Sequence, residues 1–166
     1  MINTRITFIG CGNMGRSLIG GLIADGHKPD AITGVEPDEA KAAFIKKEYG
    51  VEVVADGSHA IKGSDVIILA VKPQVIVACL QNLAEQIRKY SPLIISVAAG
   101  VRIDTLENVL GEETAIVRTM PNTPALIGAG AFLANYQLAS INDIMVHKEL
   151  HGGKASYVHK KYVLRG

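Results

Sequence analysis

Arg5-Ile6-Thr7-Phe8-Ile9-Gly10-Cys11-Gly12-Asn13-Met14-Gly15 is the stretch that decides the fold. Ile6, Phe8 and Ile9 form a short apolar run that reads as a buried strand, and Gly10-x-Gly12-x-x-Gly15 ends it abruptly. From Ser17 through Leu22 and Ile23 the apolar residues follow a helical pattern. Strand, glycine turn and helix in that order give the spacing a meaning that a bare glycine motif lacks. Gly10 permits the tight turn, Gly12 lets a pyrophosphate approach the backbone, and Gly15 lets helix and strand pack closely. The first N–H groups of the helix then offer an anion site. A glycine turn with no ligand is the plain alternative, and the flanking elements weigh against it.

The remaining chain repeats the alternation. A helix over about 14–25, stopped by Gly26, leads to a strand at 31–35 that ends at Glu36-Pro37. An acidic residue at that strand end takes the adenosine ribose hydroxyls in a mononucleotide-binding half, and Glu36 is placed for it. A solvated turn carboxylate is the alternative. A helix over 38–49 has Ala42, Ala43 and Ile45 as its expected inner face, and a short strand at 51–54 and a turn or short helix at 56–61 follow. Val66–Ala70 is an unbroken apolar run, the mark of a strand buried on both faces of a parallel sheet. Lys72-Pro73 opens a helix through Tyr90, and a strand at 93–97 runs into Ala98-Ala99-Gly100. A helix at 103–110, a strand at 114–118, the two-proline connector 119–124 and a last strand at 128–133 complete the pattern. Strands alternating with helices over short loops predict an α/β fold, a doubly wound parallel sheet of the Rossmann type. The carboxyl ends of its strands converge on one cleft.

At 166 residues the chain is one domain or one domain with an appendage, and its hydrophobic fraction of 48% suits an ordinary core. A formal net charge of +1 gives no electrostatic case for nucleic acid or an anionic membrane. The longest uncharged apolar run, 66–71, is far too short to span a bilayer. No secretory signal is visible, so a cytoplasmic location is expected. Cys11 and Cys79 stand apart with no CxxC spacing, which suggests a reducing compartment without a disulfide framework. A helix N-terminus beside Cys11 would favour some thiolate character.

Four stretches together resemble one family, the pyrroline-5-carboxylate reductases of proline biosynthesis. They are Ile9-Gly10-Cys11-Gly12-Asn13-Met14-Gly15, Ala70-Val71-Lys72-Pro73-Gln74, Ile95-Ser96-Val97-Ala98-Ala99-Gly100-Val101 and Arg118-Thr119-Met120-Pro121-Asn122-Thr123-Pro124-Ala125. The resemblance runs from about Ile6 to Asn135 and implies an NAD(P)H-dependent oxidoreductase that reduces a cyclic imino acid, 1-pyrroline-5-carboxylate, to L-proline by hydride transfer. Carried across by position, the nucleotide site would use the backbone of Ile9, Gly10, Cys11, Gly12, Asn13 and Met14, the turn Ala70-Val71-Lys72-Pro73, and Val97-Ala98-Ala99. Asn122 would be the polar contact near the nicotinamide. The resemblance assigns no catalytic side chain within these residues, and Lys72 falls in a turn that serves cofactor binding rather than proton transfer.

Three departures from the family qualify this. Gly57 stands where an Asn commonly contacts the cofactor, and Pro37 follows Glu36 where NADP-using members often carry Arg or Ser. The second change leaves a carboxylate without a compensating cation and leans the cofactor from NADPH, the family's usual choice, towards NADH. After Asn135 the family continues into a helical domain that builds the dimer and the substrate site. Here residues 136–166 instead carry His147, His151 and His159 and Tyr136, Tyr157 and Tyr162, with no clear apolar stripe. The expected organisation is a nucleotide-binding domain over 1–135 and an atypical tail over 136–166, divergent or the product of a frameshift. His147 and His151 would share a helix face, but with no acidic or cysteine partner nearby no metal site is expected. The expected partners are the small imino-acid substrate and, through apolar surface near 131–133, a second copy of the chain; nucleic acid and membrane are not expected. The alternative reading is a non-catalytic dinucleotide-binding fragment of such an enzyme. A hydroxyacid dehydrogenase is disfavoured by the Met-Pro-Asn-Thr-Pro loop.

Overall fold

The computed structural model describes residues 4–121 and 132–137. Its elements in chain order are β1 (Ile6–Ile9), α1 (Asn13–Ala24), β2 (Ile32–Val35), α2 (Glu39–Tyr49), β3 (Glu52–Val54), β4 (Val66–Leu69), α3 (Pro73–Tyr90), β5 (Leu93–Ser96), α4 (Ile103–Leu110), β6 (Ile116–Pro121) and β7 (Phe132–Gln137). One sheet takes the order β3-β2-β1-β4-β5-β6-β7, in which every pairing is parallel except β6 with β7. The direction of winding reverses after β3, which puts the topological switch between β1 and β4.

Each helix boundary has a local cause. The Asp38 side chain accepts a hydrogen bond from the Lys41 N–H at 3.0 Å and caps α2, whose far end closes on Gly50 in the left-handed conformation. Pro73 occupies the first turn of α3, where its missing N–H costs nothing. At the other end Ser91 adopts φ 46°, and the Pro92 that follows cannot continue the helix.

Two apolar layers sandwich the sheet. Ile6 and Phe8 of β1 and Ile68 of β4 pack with Ile19 and Leu22 of α1 and Ile45 of α2. On the opposite face Ile9, Ile67 and Leu69 pack with Ile76, Leu80, Leu83 and Ile87 of α3 and Leu106 and Leu110 of α4. This accounts for the unbroken burial of β1, β4 and β5, since successive side chains enter different layers.

The expected α/β architecture is the observed one, with local corrections. Ala43 is exposed; the buried stripe of α2 runs through Ile45, with Ala42 and Tyr49 partly buried beside it. Thr119 to Pro121, read as connector, extend β6, because β7 supplies an antiparallel ladder out to Pro121–Phe132. The last strand is Phe132–Gln137 rather than 128–133, and residues 128–131 lie outside the described residues. Residues 56–61 form a turn held by Asp56, which accepts hydrogen bonds from the Ser58 N–H at 3.0 Å and the Ser58 hydroxyl at 2.6 Å. Tyr136 and Gln137, the first residues of the expected tail, belong to β7, and 138–166 lie outside the described residues.

Candidate functional site

Register brings the strand ends level. Val35, Ile9, Leu69 and Ser96 are paired in one row across β2, β1, β4 and β5, with Arg118 next in β6. The chain leaves the sheet one residue later at β2, β1, β4 and β5. The Gly10 N–H donates to the Val35 carbonyl at 3.0 Å, the Ala70 N–H to Ile9 at 2.9 Å and the Val97 N–H to Leu69 at 3.1 Å. The glycine turn, Glu36, the Ala70–Pro73 turn and the Val97–Gly100 turn therefore share one edge, centred on the switch point. Asn122 lies outside the described residues.

The three glycines of the motif differ in what they answer to. Gly10 has φ +91°, and a Cβ there would stand 2.7 Å from Val71 Cγ1 and 3.0 Å from the Ala70 carbonyl carbon. A Cβ on Gly15 would collide with the Gly10 carbonyl oxygen and lie 3.4 Å from Ala70 Cβ. Both are demanded by the packing of β1, α1 and the Ala70 turn. Gly12 is different: an added Cβ meets nothing within 4 Å, so the fold does not require glycine there. It is the N-cap of α1, with no side-chain cap. Helix geometry leaves the first N–H groups of α1 without intrahelical partners.

Gly34 carries no role in the sequence reading, yet a Cβ on it would stand 2.8 Å from Cys11 Sγ. A glycine inside a strand pattern signals such a close approach. Gly57 is buried, and a Cβ there would make ordinary contact with Leu83 and Val35 at 3.4 Å.

Glu36 is not a solvated turn residue. Its carboxylate is buried, with Oε2 accepting from the Cys11 N–H and Oε1 from the Asp38 N–H, both at 3.2 Å. Cys11 is 2% exposed, and its thiol lies 3.9 Å from the Val35 carbonyl oxygen. Burial, and then the charge of Glu36, push its pKa up to about 12, opposed by the weaker effect of the Val35 carbonyl. The expected thiolate character is overturned: desolvation beside a carboxylate outweighs the helix terminus. At pH 8 a thiol of that pKa is roughly 0.01% thiolate. Alkylation of Cys11 by iodoacetamide in the native chain should then be at least about a hundredfold slower than in the urea-unfolded chain. The rate should rise with pH up to about 12. Peptide mass mapping separates Cys11 from the half-buried Cys79, and equal native and unfolded rates would contradict the burial.

On the other side of the switch, Lys72 is the exposed N-cap of α3, again without a side-chain cap. Val97 and Ala98 are buried, and Ala99 and Gly100 emerge at the surface, Gly100 with φ +77°. Glu36 and Lys72 are the charged side chains of the turns that share this edge. Among the described residues no group of three or more His, Cys, Asp or Glu could hold a metal ion, and no helix is long and apolar enough to cross a membrane. His147 and His151 fall outside those residues.

Residues 5–100 match the family described as NADP oxidoreductase, coenzyme F420-dependent. The chain belongs to this family. It is also similar to the pyrroline-5-carboxylate reductase of Pseudomonas aeruginosa, 43% identical over 142 residues that cover 84% of this chain and 52% of that protein. Among solved structures it is similar to a pyrroline-5-carboxylate reductase from Coxiella burnetii, with a TM-score of 0.89 and 32% identity over 95% of this chain and 58% of the other. A Plasmodium falciparum pyrroline carboxylate reductase with NADP bound gives a TM-score of 0.81 and 27% identity over 93% of this chain and 56% of the other. The resemblance drawn from the four motifs is borne out. The chain spans about half the length of the relatives it matches.

Proposed function

We propose that the chain is the dinucleotide-binding part of an NAD(P)H-dependent pyrroline-5-carboxylate reductase. The observation that carries this is the level edge at the switch point, where Gly12 alone of the three motif glycines is free of any packing demand. The open space beside Gly12 and the uncapped first turn of α1 suit a pyrophosphate laid against backbone N–H groups. Because the Cys11 N–H is already donated to Glu36, pyrophosphate binding falls to Asn13 and Met14. Glu36 faces the adenosine ribose, and the Ala70–Pro73 and Val97–Ala99 turns border the cofactor beyond the switch. Asn122 serves the nicotinamide side. The cofactor, when bound, supplies the hydride, and the protein's part is to hold it beside the imine carbon.

Spectroscopic titration with NADH and NADPH, followed by a steady-state assay with the cyclic imine, tests the proposal. Dissociation constants in the micromolar range are expected for at least one nucleotide, and no binding of either would overturn the reading. Hydride transfer depends on near-attack placement, which can contribute roughly 7–11 kcal/mol. These residues span half of the relatives, so the 166-residue polypeptide assayed by itself is expected to turn over below about 1 per second. A higher rate would show that residues 1–166 complete the substrate site themselves.

A further inference from the structure

One face of the sheet changes character along its length. Ile9, Val35 and Val54 form a row across β1, β2 and β3 and pack in the apolar layer that includes α3. Two residues earlier, on the same face, the row is Thr7, Thr33 and Glu52. Strands of a parallel sheet covered on both faces are normally apolar throughout, so three polar residues in register need a reason. This row borders a cavity of about 280 Å³ at the amino ends of the strands, the opposite end of the sheet from the glycine turn. The turn after β3 closes one side of it. Thr7 Oγ1 lies 3.1 Å from the Ala60 carbonyl oxygen and 2.6 Å from Ser64 Oγ, so that hydroxyl is occupied. The half-buried Thr33 hydroxyl, next in the row, has no hydrogen-bond partner among the described residues.

Charges of both signs line the cavity without meeting. Arg5, just before β1, and Lys62 stand on one side, and Asp30, just before β2, and Glu52, at the start of β3, on the other. A Cβ on Gly63 would lie 2.8 Å from Arg5 Nη1 and 3.0 Å from its Cζ, so the guanidinium is laid against the turn beside Lys62. Asp65 accepts the Arg5 backbone N–H at 2.7 Å and leaves the guanidinium donors unused. His59 also lines the cavity, with its Nδ1 3.2 Å from the Ser58 hydroxyl. Among the described residues, none of Arg5, Lys62, Asp30 and Glu52 forms an ion pair.

We propose that this cavity binds a small polar α-amino acid as its zwitterion, with the carboxylate on Arg5 and Lys62 and the ammonium facing Glu52 and Asp30. A lone anion would leave two carboxylates unanswered, and a lone cation would leave two basic groups so. A ligand carrying both charges satisfies both walls. The guanidinium fork matches a carboxylate in geometry as well as charge. An ammonium has three donors, which the two carboxylates and the free Thr33 hydroxyl can accept. The volume lies just below the roughly 300–1,000 Å³ of drug-sized sites, so it suits an amino acid and excludes a dinucleotide. The site is separate from the edge at the carboxyl ends and does not depend on what binds there.

The test is amide chemical-shift titration of the 166-residue chain with L-serine, with 3-hydroxypropionate, which lacks the ammonium, and with ethanolamine, which lacks the carboxylate. L-serine is expected to shift the amides of Thr33, Glu52 and Gly63 saturably, with a dissociation constant below about 1 mM. Each half-ligand is expected to bind at least about tenfold more weakly. Arg5→Gln and Glu52→Gln each remove one charge from an exposed side chain, and each is expected to weaken L-serine at least about tenfold. Glu52→Gln should also erase the preference for L-serine over 3-hydroxypropionate. Circular dichroism checks that both variants fold, and the comparison of the three ligands on the unmodified chain decides the matter even if neither does. No saturable shift with L-serine overturns the proposal. So does a half-ligand that binds as tightly as L-serine, or an affinity that neither variant changes.

Discussion

A Gly12→Val chain is expected to fold normally and to bind dinucleotide at least about a hundredfold more weakly than the unmodified chain. The two halves of that expectation have separate causes. Gly12 sits at φ −66°, an ordinary backbone value, and an added Cβ touches no atom of the protein within 4 Å. The folding penalty is therefore confined to the poor capping quality of valine, on the order of 1 kcal/mol at an N-cap. For a chain of this size that lowers the melting temperature by only a few degrees, about 2–4 °C. The binding penalty arises because the branched side chain would project where a pyrophosphate must meet the first N–H groups of α1. Thermal denaturation followed by circular dichroism checks the first half, and NADH titration checks the second. A well-folded Gly12→Val chain that binds NADH normally would mean that the phosphates lie elsewhere.

The parts of this molecule that were legible in the sequence are those where one residue type has one physical use. Between an apolar run and a helical pattern, Gly10-x-Gly12-x-x-Gly15 fits little besides a tight strand-to-helix turn, and the strand, turn and helix are where it puts them. Val66–Leu69 read as a doubly buried strand because no polar residue interrupts it. What could not be read depends on partners distant in the chain. Thr119 and Pro121 look like a connector until β7 supplies a ladder. Ala43 and Ala42 are the same residue one position apart, and only the rotation of α2 on the sheet decides which is exposed. Cys11 beside a helix N-terminus reads as activated in isolation. Its burial and the nearby Glu36 carboxylate, the latter reached through the pairing of β1 with β2, reverse that. Glu36 could be read as an acceptor at a strand end, but not as one already held by the glycine turn.

Gly15→Ala is expected to cost at least about 2 kcal/mol of folding stability, the reverse of what an alanine normally does inside a helix. At an unhindered helical site, replacing glycine by alanine gains up to about 1 kcal/mol, because alanine restricts the unfolded chain and has the higher helix propensity. Gly15 lies in the first turn of α1, but its Cβ would run into the Gly10 carbonyl oxygen, with Ala70 Cβ at 3.4 Å behind it. Backbone cannot step aside by changing rotamer, so relief requires lifting α1 off β1 and the Ala70 turn. That movement would also spoil the packing of Ile19 and Leu22 against Ile6 and Phe8. Gly21 provides the control within the same helix, since a Cβ there meets nothing within 4 Å and the residue is exposed. Urea denaturation of the three chains should place the Gly21→Ala midpoint at or above that of the unmodified chain and the Gly15→Ala midpoint well below it. The comparison cancels helix propensity, so the difference reports the contact between α1 and the glycine turn. If Gly15→Ala matched Gly21→Ala, the close approach of helix and strand on which the whole edge depends would not exist.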